Sequence, residues 1–81
     1  MITICYQFWS RKENRFKSYE QYFWELDKAV KFCWAMKRRM MILDGISGDS
    51  MKEIQYVSKR INIEEINTKS KELLEKYGHY K

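Results

Sequence analysis

The stretch SYEQYFWELDKAVKFCWAMKRRM, residues 18–40, decides how the whole chain is read. Ser18 followed by Gln21 has the spacing of a capping box, in which side chains satisfy the first N–H groups of a helix. Tyr19, Tyr22, Phe23, Leu26, Ala29, Val30, Cys33, Trp34, Met36 and Met40 then recur at three- and four-residue intervals. At about 100° per residue they fill an arc of roughly 160°, wide enough to cover a sheet. A helix over residues 19–40 is therefore the expected centre of the fold.

On its N-terminal side the chain alternates. Ile2, Ile4, Tyr6 and Phe8 share one face, while Thr3, Cys5, Gln7 and Trp9 share the other, which is the period of a strand. Residues 10–18, SRKENRFKS, are polar and basic without periodicity and read as a loop or a frayed hairpin.

C-terminal to the helix, MILDGISGDSMKEIQYVS (residues 41–58) reads as a hairpin turning at Gly48-Asp49. Its register sets Leu43 opposite Ile54 and Met41 opposite Tyr56, and also opposes Asp44 and Glu53 at a small like-charge cost. Asn62 and Glu65 form a second capping box. Behind it Ile63, Ile66, Ser70, Leu73, Leu74 and Tyr77 keep helical spacing, and Gly78 sits where a helix stop belongs. The alternative is a shorter helix from Thr68 after a third strand through Ile61 and Ile63. The expected fold is α+β: one domain over residues 1–81, in the order β-α-β-β-α. A three-stranded sheet lies under the long helix and the C-terminal helix, with a basic loop at 10–18 and a frayed tail at 79–81. A right-handed crossover through the long helix would set the first strand parallel to one hairpin strand.

Eighty-one residues make a thin core, since a chain of that size buries only about 60% of its unfolded surface. An apolar content of 44% beside 33% charge belongs to a globular rather than a disordered chain. No apolar run of about 18 residues exists, so no membrane association is expected. The start, MITICYQFWS, lacks a basic n-region, and a cytoplasmic protein is expected. Cys5 and Cys33 stand 28 residues apart outside any CxxC pattern and read as reduced buried thiols, although a single disulfide would need only that strand and helix juxtapose them.

Charge and aromatics are both concentrated at one end. Residues 1–39 carry nine Lys and Arg against four acids, whereas residues 40–81 carry seven of each. Ten of the thirteen aromatic residues lie in the first 34 positions. On the 19–40 helix, Trp24 and Phe32 fall on the side away from the core stripe, among Lys28, Lys31, Ala35, Arg38 and Arg39. Two large rings among cations on a helix back mark an interface, and Trp and Arg are frequent binding hot spots. The competing reading is that the second helix or the 10–18 loop folds over both rings. Trp24, Lys28, Lys31, Phe32, Arg38 and Arg39 are the candidate partner-binding residues. Arg11, Lys12, Arg15 and Lys17 form a secondary basic loop whose ordinary reading is a solvated segment.

Catalysis finds no footing in these residues. The single His, His79, is the third residue from the C-terminus, and no Ser-His-Asp, Cys-His or metal-ligand set can be placed on ordered elements. Carboxylate pairs such as Glu64-Glu65, and Asp44 with Asp49, lack an apolar background that would shift a pKa. Gly45-Ile46-Ser47-Gly48 matches the GxxG of KH domains, but its place inside a hairpin argues for a turn. Neither an enzyme nor a cofactor is expected.

In style the chain resembles small leaderless proteins of phages and prophages. The likeness rests on its length, the absence of Pro, a composition rich in Lys, Ile, Asn and Tyr, and one α+β domain without catalytic apparatus. Many such proteins, anti-CRISPR proteins among them, bind and disable a host machine. The resemblance implies a non-enzymatic binder of a host protein or nucleoprotein complex, such as a CRISPR-Cas effector. The net charge of +5 sets the chain apart from the acidic DNA mimics of that group. Two further readings use the same residues: a sequence-tolerant nucleic-acid binder, and a homodimer joined through Trp24 and Phe32.

Overall fold

The computed structural model describes residues 1–77, with β1 (Ile2–Ser10), β2 (Arg15–Phe23), α1 (Leu26–Arg39), β3 (Met41–Gly48), α2 (Met51–Lys59) and α3 (Ile63–Tyr77). The class is α+β, a three-stranded antiparallel sheet of order β2-β1-β3 with three helices. The element order, β-β-α-β-α-α, differs from the expected one in two places, and each difference has a local cause. The expected stop at Gly78, the tail at 79–81 and His79 lie outside the described residues.

The first difference is at residues 15–23. Instead of opening the helix, they form β2, antiparallel to β1 over nine pairs from Ile2↔Phe23 to Ser10↔Arg15. Residues 11–14 make the turn. Asn14 closes it in the left-handed region at φ 55°, a conformation Asn tolerates better than most residues, and Glu13 N–H donates to Ser10 Oγ. Pairing gives β1 a neighbour on this side and sets Tyr6 against Tyr19, their rings stacked at 5.7 Å. Ser18 is thus mid-strand and caps nothing. The helix starts only at Leu26 after the extended Glu25 and ends at Met40, a left-handed residue at φ 58° whose N–H donates to Met36 O.

The second difference is at residues 41–59. The 41–48 half forms a strand as expected, antiparallel rather than parallel to β1. A bulge sits where Cys5 pairs with Gly45 and Tyr6 with Leu43, which leaves Asp44 as the extra residue. That one residue switches the alternation, so Ile46 and Leu43 both pack inward. The GxxG stretch lies within this strand. Gly48 ends it where a Cβ would come within 3.1 Å of both Ile2 Cδ1 and Met1 O, so the close approach of β1 and β3 calls for glycine there. The other half is helical. Ser50 Oγ accepts from Glu53 N–H at 3.3 Å, and α2 buries Val57 and half-buries Ile54 and Tyr56.

α3 follows the expected cap, with Asn62 Oδ1 accepting from Glu65 N–H at 2.9 Å, and no strand through Ile61 and Ile63 precedes it. The core lies between the helices and the face of the sheet that carries Ile2 and Ile4. Ala29, Cys33 and Met36 of α1 meet Met41 and Leu43 of β3, with Val57 and Ile66 closing it from α2 and α3. Ser70, wholly buried, donates to Met36 O at 3.2 Å where α3 crosses α1. Its small side chain lets the two helices approach while its hydroxyl stays satisfied. Both cysteines are free; Cys33 is buried, and burial pushes its thiol up to about 12. No helix among the described residues is long and apolar enough to cross a membrane.

Candidate binding surface

Starting α1 at Leu26 redraws the helix faces. With Tyr19, Tyr22 and Phe23 removed to β2, the core direction is set by Ala29, Cys33 and Met36, and Phe32 lies only roughly 65° from it. Phe32 is therefore not on the helix back. It turns towards the sheet, edge-on to Tyr6 at 5.4 Å and tilted against Phe23 at 5.2 Å, half-buried against the core. Trp24 precedes the helix, in the bend between β2 and α1, and is 80% exposed. One ring of the expected pair packs inward, and the other stands in solvent.

The cations nevertheless come together. Lys28, Lys31, Arg38 and Arg39 line one open depression of about 570 Å³, with Phe32, Phe23 and Trp34 supplying apolar wall. Lys28 is paired with Glu25 at 3.4 Å. Among the described residues no carboxylate pairs with Lys31, Arg38 or Arg39. Arg38 and Arg39, with Lys37, occupy the last turn of α1, where positive charge complements the helix dipole. That effect is confined to the terminal turn and does not account for Lys31 or Lys28.

A second hollow of about 300 Å³ adjoins the first through Arg39, which lines both; its other walls are Tyr6, Phe8, Tyr19 and Met41. Sequence reasoning assigned Tyr6, Phe8 and Tyr19 to internal packing. Tyr19 is 43% exposed and Phe8 42%, because α1 sits over β1 and β3 and leaves the inward-facing side of β2 partly open. No local signal places Tyr19 opposite Tyr6, since Phe16, Tyr19, Tyr22 and Phe23 do not alternate and only the pairing with β1 sets their faces. Rings Tyr19, Tyr6, Phe32 and Phe23 thus form a contacting row beside the cations.

The secondary basic group is a hairpin end rather than a separate loop. Arg11 and Lys12 are exposed in the turn, and Arg15 and Lys17 begin β2. Both strand cations pair with Glu13, Lys17 at 2.6 Å and Arg15 at 3.4 Å, which holds the Glu13 carboxyl below its ordinary range and the Lys17 ammonium above its own. Lys17 lies opposite Phe8, one of the residues that line the second hollow.

The side of α1 that carries Asp27 and Trp34 is tied down. Trp34 Nε1 donates to Arg60 O at 2.9 Å, Lys37 Nζ lies 5.0 Å over the Trp34 ring, and Tyr56 donates to Asp27 Oδ1 at 2.6 Å, which raises the Tyr56 hydroxyl pKa. α2 is thereby strapped along one side of α1, opposite in angle to Phe32, and the cationic side faces away from it. Among the described residues no three His, Cys, Asp or Glu side chains converge as metal ligands would. Comparison with protein-family models, with curated proteins and with solved structures returns no match, so the reading of this surface rests on its geometry.

Proposed function

We propose that this chain is a small non-enzymatic binding protein that blocks or modulates a host protein or nucleoprotein complex, acting in the host cytoplasm as phage-type proteins of this style do. Its working surface is the cationic side of α1, with Trp24 as an anchor at the helix entry. One observation carries the reading: Lys31, Arg38 and Arg39 share an open depression and have no acidic partner within the described chain. Cations held without a partner raise the local potential and complement an acidic or phosphate-bearing surface. An exposed Trp at the entry to the same helix has the character of a binding hot spot. The test is capture of a host component by the wild-type chain after nuclease treatment, compared with Lys31→Glu/Arg38→Glu/Arg39→Glu. Capture of the same component by both forms would refute the assignment of the surface.

A second reading is favoured by the row of rings next to Arg39. Tyr19, stacked on Tyr6 and still 43% exposed, offers a platform for an unpaired base while Arg39, Lys28 and Lys17 meet phosphates. Binding of that kind weakens steeply with salt, with a slope set by the number of phosphates contacted. A single-stranded oligonucleotide titrated between about 50 and 200 mM salt separates the two readings. The homodimer through Trp24 is tested by sedimentation of wild type beside Trp24→Ala.

A further inference from the structure

Ala35 lies in the middle of the cationic side of α1 and presents only a methyl group to its depression. Residues three and four apart on a helix are neighbours, with Cβ atoms about 5–6 Å apart. Lys31 stands four residues before Ala35, and Arg38 and Arg39 stand three and four after it. Three cations therefore surround a gap that any longer side chain at position 35 would fill. Among the described residues no carboxylate pairs with them; Glu72 of α3, which shares a hollow with Arg38, is bound to Lys69 at 3.5 Å. A gap of this size suits a compact anion. A phosphate monoester brings nearly two negative charges to it at neutral pH, whereas a carboxylate of an acidic protein brings one and needs only one of the three cations.

The surface continues from this gap in one direction only. Towards the start of α1, Lys28 is bound to Glu25 at 3.4 Å and Asp27 adds a second acid, so a chain of phosphates is repelled there. Towards the end of α1, Arg39 opens into the hollow of Tyr6, Phe8, Tyr19 and Met41, where Tyr19 is stacked on Tyr6 and still 43% exposed. Beyond it, Lys17 and Arg15 follow Tyr19 on the same face of β2 in steps of about 7 Å. They share one acid, Glu13, and so keep a net positive charge. We propose that the gap at Ala35 holds the terminal phosphate of a single-stranded nucleic acid. Its first base enters the hollow at Tyr19, and its next phosphates run towards Lys17 and Arg15. This rests on the nucleic-acid reading of the surface and adds to it a preference for a phosphorylated end.

Oligothymidylates of about eight nucleotides test it, labelled at an internal base and carrying a 5′-phosphate, a 3′-phosphate or hydroxyls at both ends. Binding is followed by fluorescence anisotropy at about 0.1 M salt. Wild type is expected to bind one phosphorylated form at least about tenfold more tightly than the hydroxyl form. Ala35→Leu fills the gap without changing charge. It should erase that preference to within about twofold while leaving affinity for the hydroxyl form within about twofold of wild type. Ala35→Ser keeps the room and should keep the preference, and Tyr19→Ala should weaken all three forms together. Thermal melting verifies that each variant is folded. Equal binding of the three forms by wild type, or a preference that survives Ala35→Leu, overturns the terminal-phosphate site and leaves single-strand binding standing. Failure to bind any form overturns both. A phosphoserine peptide bound as tightly as the phosphorylated oligonucleotide would overturn the nucleic-acid occupant in favour of a phosphoprotein.

Discussion

Asn67 and Leu43 are joined by two hydrogen bonds between one side-chain amide and the backbone N–H and C=O of one residue, at 2.8 and 3.0 Å. The pair fastens α3 to β3 across a chain separation of 24 residues and satisfies a half-buried edge from within the molecule. Replacing Asn67 by Ala leaves an N–H and a C=O without partners. A loss of about 2–3 kcal/mol is expected in urea unfolding. Thr68→Ala, one residue along and exposed, should stay within about 0.5 kcal/mol.

Trp24 and Phe32 separate by the same measurement. Phe32 touches Tyr6 and Phe23 and is half-buried, so Phe32→Ala should cost about 2 kcal/mol, below the 3–5 of a fully buried ring. Trp24→Ala, at an 80% exposed position, should change stability by no more than about 0.5 kcal/mol. Thermal melts of the two single variants decide this. Only Trp24→Ala is a clean probe of partner binding, because loss of Phe32 also loosens the fold.

Alkaline pH should weaken the fold through Cys33. Its thiol ionises near 9 when solvated and is pushed up to about 12 by burial, so the folded state holds a proton that the unfolded state releases. Stability is then constant below about 9 and falls as pH rises towards about 12, at about 1.4 kcal/mol per pH unit for one proton. The Tyr56 hydroxyl, raised by its bond to Asp27, acts in the same direction. Urea midpoints at successive pH values should flatten for Cys33→Ala. In native protein at neutral pH a thiol reagent should titrate Cys5, half-exposed on the other face of β1, while Cys33 reacts only on unfolding.

Ser50 tests the start of α2. Its Oγ accepts from Glu53 N–H, and Ser50→Ala should cost about 1 kcal/mol, whereas Ser50→Asp should restore most of it. In the hairpin expected from the sequence the same residue would lie beside a turn, and neither effect would arise.

The parts of the fold legible in the sequence are those where one period dominates. Ile2 and Ile4 alternate cleanly in β1; Leu26, Ala29, Cys33 and Met36 mark α1; Asn62 and Glu65 mark α3. Residues 15–23 were not legible because Phe16, Tyr19, Tyr22 and Phe23 fit helical spacing when joined to Leu26 and also fit a strand. What decides between them is a long-range partner, β1, which no local window contains. Extending the helix backwards also rotated its inferred core face, which is why Phe32 was expected on the back. Residues 49–59 did carry a signal, Ser50 and Glu53 at capping-box spacing, but the Gly48-Asp49 turn pattern outweighed it. Of the candidate surface, Lys28, Lys31, Arg38 and Arg39 were legible because they lie within the true helix. Tyr19 and Phe8 were not, since their exposure depends on how far α1 reaches across the sheet.

The central claim is that the cationic side of α1 is a binding surface and not merely a solvated helix face. The most direct measurement is quantitative capture of one identified host component, after nuclease, by wild type and by Lys31→Glu/Arg38→Glu/Arg39→Glu at about 0.15 M salt. The account predicts that the triple variant melts within a few degrees of wild type and loses at least tenfold in affinity. Undiminished affinity in a folded triple variant would contradict it.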